Sequence, residues 1–133
     1  MKPKMIWANL AVSNLGRTKE FYTKLGFESN GTHGSDELVS FSIGQDSFAI
    51  NFFRGDVFST NLNANVAEAH TVTEVVFTLS AESREQADDW EKEVEKAGGQ
   101  IISRPEEFGE GYYGFLFADP DGHRFNVFYM KGF

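Results

Sequence analysis

The chain has 133 residues, 41% of them hydrophobic and 24% charged, with no cysteine and a net charge of −8 at neutral pH. That is one domain's worth of chain with enough apolar residues for a core, and it excludes disulfides, thiol nucleophiles, zinc–thiolate sites and iron–sulfur clusters. The acidic balance argues against nucleic acid as a partner, no run approaches the roughly 20 apolar residues of a membrane span, and Met1–Met5 lacks the apolar stretch of a secretory signal, so a soluble cytoplasmic protein is expected.

The first element is a strand from Met5 to Val12. Ile6, Ala8, Leu10 and Val12 face one way, and Trp7, Asn9 and Ala11 the other. Asn14 fits a helix N-cap, and Leu15, Thr18, Phe21, Tyr22 and Leu25 recur at helical spacing up to Gly26. The spacing predicts a helix over Leu15–Leu25. Three strands are predicted next: Phe27–His33, Glu37–Ile43 after a Gly34-Ser35-Asp36 turn, and Ser47–Phe53 after Gly44-Gln45-Asp46.

Residues 55–70 are polar and asparagine-rich, and they predict a linker or lid with one helical turn at Val66–Ala69. The pattern then starts again. A strand is expected from Thr71, with Thr73, Val75, Phe77 and Leu79 on one face and Val72, Glu74, Val76 and Thr78 on the other. Ser83 and Gln86 fit a capping box. Ala87, Trp90, Val94 and Ala97 follow at helical spacing, and Gly98-Gly99 ends the helix. Strands are predicted at Gln100–Arg104, Tyr112–Ala118 and Arg124–Met130, the last two joined by the tight turn Asp119-Pro120-Asp121-Gly122.

The second half therefore repeats the first, down to single residues. Asp46 is followed five positions later by Asn51, and Asp121 five positions later by Asn126. A unit duplicated once implies a pseudo-two-fold α+β domain of two tandem βαβββ modules. The expected division is module 1–54, linker 55–70 and module 71–133 within one domain.

Each predicted sheet has one face for its helix and one left over. The leftover faces carry Trp7 and Asn9, Asn51 and Phe53, Glu74 and Val76, and Asn126 and Phe128. Leaving such aromatic side chains in water forgoes roughly 1.5–3 kcal/mol each. The expectation is a curved, cup-shaped mixed sheet with the helices outside, its aromatic cup set with a few polar groups as a small-molecule site. The 14 Phe fit either a heavy core or such a cup. Glu74 beside Trp7 suits a general base raised by burial, or else is an exposed strand carboxylate. Asn51 and Asn126 either bind a polar ligand or bond each other and backbone. Tyr112 and Tyr113, after Phe108-Gly109-Glu110-Gly111, form a lid or simply pack. His33, His70 and His123 have no metal-ligand spacing, and none is assigned a catalytic role. The acidic stretch Glu82–Lys96 reads as a solvated face.

Several local motifs carry a family likeness. They are Asn9-Leu10-Ala11-Val12-Ser13-Asn14-Leu15, Phe21-Tyr22, Leu25-Gly26-Phe27, Thr73-Glu74-Val75, Lys96-Ala97-Gly98-Gly99 and Asp119-Pro120-Asp121-Gly122-His123. With the duplicated modules they resemble the vicinal oxygen chelate superfamily, which includes glyoxalase I, extradiol dioxygenases and bleomycin- and fosfomycin-resistance proteins. The closest likeness is to bacterial glyoxalase-like proteins. The resemblance spans nearly the whole chain. It implies the glyoxalase/bleomycin resistance fold and a homodimer sharing pockets between subunits.

Metal-dependent members hold one divalent ion with side chains from four strands, typically two His and two Glu. Those positions match Trp7, Asn51, Glu74 and Asn126 here. An indole N–H only donates, and neutral amides are weak ligands for Zn, Ni or Fe. The expectation is therefore a binder of a small organic molecule with no metal or other cofactor, using Trp7, Asn9, Asn51, Phe53, Glu74, Tyr112, Tyr113, Asn126 and Phe128. The alternative is a metal-assisted lyase or isomerase of the lactoylglutathione lyase type, with one divalent ion at Glu74 or Glu74 as base. A ligand-free structural module is the third possibility.

Overall fold

A computed structural model describes residues 1–31, 36–45 and 48–132. His33, the Gly34-Ser35 turn, Asp46 and Ser47 lie outside the described residues. The chain forms two compact units, Met1–Ala67 and Glu68–Phe133. No helix among the described residues is long and apolar enough to cross a membrane.

The first unit contains β1 (Ile6–Val12), α1 (Leu15–Lys24), β2 (Glu28–Ser29), β3 (Leu38–Ile43) and β4 (Phe48–Arg54). Its sheet runs β1-β4-β3-β2, with β1 parallel to β4 and the other pairs antiparallel. The Asn14 side chain accepts from Arg17 N at 3.0 Å, which satisfies an orphan donor at the start of α1. The helix closes with Gly26 N donating to Thr23 O and Phe27 N to Tyr22 O, the paired bonds of a Schellman end. Tyr22 on α1 stacks on Phe52 of β4 with ring centroids 4.6 Å apart, and Phe41 of β3 closes on both. These three rings and Phe21 and Ile50 are fully buried.

The predicted linker opens with structure. Gly55–Phe58 form a short helix, α2, followed by a 3-10 turn at Ser59–Asn61. Arg54 holds Asp56 through both carboxylate oxygens, at 2.6 and 3.1 Å. The helical turn expected at Val66–Ala69 sits further on, where Thr71 N and Val72 N both donate to Glu68 O.

The second unit contains β5 (Val76–Ala81), α3 (Arg84–Ala97), β6 (Gln100–Phe108), β7 (Tyr112–Ala118) and β8 (Arg124–Met130). Its sheet runs β5-β8-β7-β6, again with one parallel pair, β5 with β8. Ser83 caps α3 by accepting from Gln86 N at 3.0 Å. Gln86 returns the bond to Glu82 N rather than to Ser83 N. Phe115, Phe117, Phe125, Val127 and Val94 are fully buried, and Phe117 stacks on Phe125. Much of the phenylalanine therefore forms the two cores: Phe21, Phe41, Phe52, Phe115, Phe117 and Phe125 are all fully buried. The α+β fold of two βαβββ modules is as the repeat predicts.

Several strand limits differ from expectation. β2 covers only Glu28–Ser29 of the predicted Phe27–His33, whose residues 32 and 33 lie outside the described residues. β5 starts at Val76 and not at Thr71, because its one partner, β8, starts at Arg124 opposite Val76. Upstream of Arg124 the chain is in the Asp119–Gly122 turn, so residues 71–75 have no strand to pair with. β6 runs past Pro105 to Phe108. It is an edge strand with register shifts between Ile101 and Ser103 and between Ser103 and Glu106. Edges and bulges are where a strand tolerates a residue without an N–H.

The turn before β8 is tied to the start of its unit. The Asp119 side chain accepts from Asp121 N at 3.0 Å and His123 N at 2.9 Å. Gly122 has φ +92°, and a Cβ there would lie 2.6 Å from His70 N. Only glycine lets this turn approach the 69–70 backbone so closely.

Candidate functional site on the open sheet faces

Strand register sorts the candidates by face. On the first sheet, the face away from α1 carries Trp7, Asn9 and Ala11 from β1, Ala49, Asn51 and Phe53 from β4, and Leu38, Ser40 and Ser42 from β3. Asn9 and Asn51 are register partners, and Asn51 Nδ2 donates to Asn9 Oδ1 at 2.9 Å. Further along the face, Asn30 donates to Ser40 Oγ at 2.9 Å and accepts from Ser42. Phe53 packs on Phe58 of α2, centroids 6.3 Å apart. Trp7 is 57% exposed. Burial therefore does not constrain it within this chain, contrary to the cost argument made from its residue type.

On the second sheet, the face away from α3 carries Thr78, Asn126, Phe128, Leu116, Gly114 and Tyr112, continued on β6 by Ser103, Glu106 and Phe108. Asn126 Nδ2 donates to Thr78 Oγ1 at 3.3 Å. Phe128 meets Phe108 with centroids 4.4 Å apart, and Phe108 stacks on Tyr112 at 5.8 Å. Gly114 makes this shelf possible. A Cβ there would lie 2.0 Å from Val127 O and 2.6 Å from Phe128 Cδ1, so its absence lets the Phe128 ring lie over β7. The result is a concavity of about 210 Å³ lined by Ser103, Glu106, Phe108, Leu116, Asn126 and Phe128.

Two candidates sit elsewhere. Tyr113 is on the opposite face from Tyr112. Its hydroxyl donates to Asp88 Oδ1 of α3 at 2.6 Å, and the Arg84 guanidinium lies 4.8 Å over its ring. That hydrogen bond, then burial, pushes the phenol up to about 12, so it stays neutral and locked to the helix. Glu74 lies in a bend ahead of β5, exposed, rather than on the strand. The apolar surroundings expected for a general base do not enclose it. Ser103, Glu106, Leu116 and Phe108 were missed as a set. The bulges in β6 put Ser103 and Glu106 three apart on one face, which breaks the two-residue period that would have revealed them.

The donor set at the family's metal positions does not fit a divalent ion. Trp7 offers a donor only, Glu74 is exposed off the strand, and Asn51 and Asn126 offer only neutral amide oxygens, weak ligands for Zn, Ni or Fe. Among the described residues no three His, Cys, Asp or Glu side chains cluster to hold a metal.

His70 works instead as a latch. Its Nδ1 meets Glu68 Oε1 at 2.6 Å and its Nε2 meets Pro120 O at 3.2 Å. Both partners are acceptors, so the imidazolium, with two N–H groups, satisfies them together. The Glu68 carboxylate is the main cause that raises the His70 pKa above 6.5. Such a group stabilises the fold fully below its unfolded pKa, and that contribution is lost as pH rises through the higher folded value. A ¹H–¹³C NMR titration should put the His70 midpoint above 6.5, and Glu68→Gln should bring it back toward that value. A midpoint at or below 6.5 would remove the latch.

Against this geometry the family likeness is direct. A sequence model of the Glyoxalase/Bleomycin resistance protein/Dioxygenase superfamily matches residues 4–127, and the chain belongs to that superfamily. No curated protein matches. A hypothetical protein from S. aureus is similar in structure, with TM-score 0.81 and 29% identity, covering 97% of this chain and 95% of that one. A glyoxalase-related enzyme from Fulvimarina pelagi superposes with TM-score 0.83 at 15% identity, covering 94% and 86%. A lactoylglutathione lyase from Agrobacterium tumefaciens has TM-score 0.71 and 20% identity over 100% of both chains. The last two likenesses are of fold.

Proposed function

We propose that the protein binds a small organic molecule on the open face of its second sheet and does so without the family's divalent ion. The observation that carries this reading is the aromatic shelf of Phe108, Tyr112 and Phe128 around a concavity that also holds Asn126. Apolar walls with a few polar groups are the usual make-up of a small-ligand site. A glyoxalase-type proton transfer needs an electrophile at the developing enediolate. The side chains at the family's ligand positions are poorly suited to hold one. We further propose a homodimer. Ile6 and Trp7 are 60% and 57% exposed on β1, an edge strand, and a second copy would cover them.

The test is a ¹⁵N-HSQC titration with a panel of neutral and charged naphthalene derivatives. The expected shifts fall on the amides of Gly114, Leu116, Asn126 and Phe128, and Phe128→Ala weakens binding about tenfold through lost apolar contact. Shifts confined to the α3 side of the sheet, or none, would contradict the reading.

A further inference from the structure

The second sheet's concavity has one charged wall. Glu106 and Glu107 are neighbours on β6 and point to opposite faces, opposite Gly114 and Tyr113 respectively. Glu107, on the helix side, is ion-paired with Arg84. Glu106, on the open side, makes no ion pair or hydrogen bond among the described residues. It stands at the rim of the concavity lined by Phe108 and Phe128. Across from it is Gly114, which has no side chain to fill the gap. The cation on the same face of β8, Arg124, lies at the far end of the strand and donates from Nε to Thr73 Oγ1. An unneutralised carboxylate beside stacked aromatic rings, in a chain of net charge −8, attracts one kind of group. The ring faces and the carboxylate both favour a cation carried on an apolar body.

We infer that the ligand of this face is an organic cation, an ammonium-type group on an aromatic or aliphatic body, with Glu106 as the residue that selects its charge. This rests on the binding role proposed above and adds the ligand's chemical class. The cationic head sits between the Glu106 carboxylate and the Phe108 ring. The apolar body lies on Phe128 and Leu116, with Asn126 at its far end.

The test compares three probes of one shape: 1-naphthylmethylammonium, 1-naphthalenemethanol and 1-naphthoate. Binding is measured by HSQC titration at low and at high salt. The ammonium is expected to bind about fivefold or more tightly than the alcohol at low salt, with the naphthoate weakest. High salt should shrink that advantage, because the carboxylate is exposed. Glu106→Gln should bring the ammonium down to the alcohol's affinity. Glu107→Gln, on the helix face, should leave the ratio intact. Both variants alter exposed side chains, and their spectra report whether they fold. If ammonium and alcohol bind equally, or Glu106→Gln leaves their ratio unchanged, the cation assignment is overturned while the binding role stands. If no probe binds, both fall together.

Discussion

Phe52→Ala should destabilise the protein by about 3–5 kcal/mol, the range for removing a fully buried aromatic side chain. Phe52 is 0% exposed, stacks on Tyr22 at 4.6 Å and meets Phe41 edge-on at 6.3 Å. Its ring is the joint between α1 and the first sheet. The cost combines lost transfer energy with a cavity that Tyr22 on the helix and Phe41 on the paired strand, both fully buried, cannot collapse to fill. Urea denaturation should show a lower midpoint with an unchanged slope. A loss under 1 kcal/mol would mean that the helix does not depend on this stack.

Gly114→Ala should cost about 3 kcal/mol, unusual for adding one methyl group to a strand. A Cβ at that position would lie 2.0 Å from Val127 O and 2.6 Å from Phe128 Cδ1, and the first of these is backbone. The β7–β8 ladder must separate locally, or the Phe128 ring must leave the shelf. Either route removes the concavity as well as stability. The variant should therefore lose naphthalene binding at temperatures where it is still folded. Thermal melting and HSQC titration of the same sample check both effects. A variant as stable as the parent, with the Phe128 resonances unmoved, would contradict the packing described.

Local signals made the architecture legible. The alternation of β1, the Asn14 and Ser83 caps, the helical spacing before Gly26 and Gly98, and the Asp119–Gly122 turn are each set by neighbours within a few residues. Together they spell one unit twice. The errors came where a distant partner decides the outcome. Residues 71–75 alternate like a strand, but β8 has not yet begun where they would need it, and Glu74 left the predicted strand with them. Conversely β6 continues through Pro105 because an edge strand with bulges can absorb it. The site was half legible for the same reason. Asn9, Asn51, Phe53, Asn126 and Phe128 follow from regular alternation and lie on the open faces. Tyr112 and Tyr113 are consecutive in one strand, so only one of them can share that face, a distinction alternation already contained. Glu106 and Phe108 lie beyond a bulge, where the two-residue period fails.

The chain has the superfamily's fold, and the site proposed for it uses no metal. The most direct measurement is metal content of the purified protein with a melting scan across Ni, Co, Zn, Mn, Mg and Ca, with and without EDTA, on the parent and on Glu74→Ala. An ion present at 1,000 times its dissociation constant adds about 4 kcal/mol of stability, too much to overlook. No stoichiometric ion, no stabilisation by any of the six and no effect of EDTA are expected. A stoichiometric ion that raises the melting temperature and is lost in Glu74→Ala would contradict it and make a metal-assisted lyase the better reading.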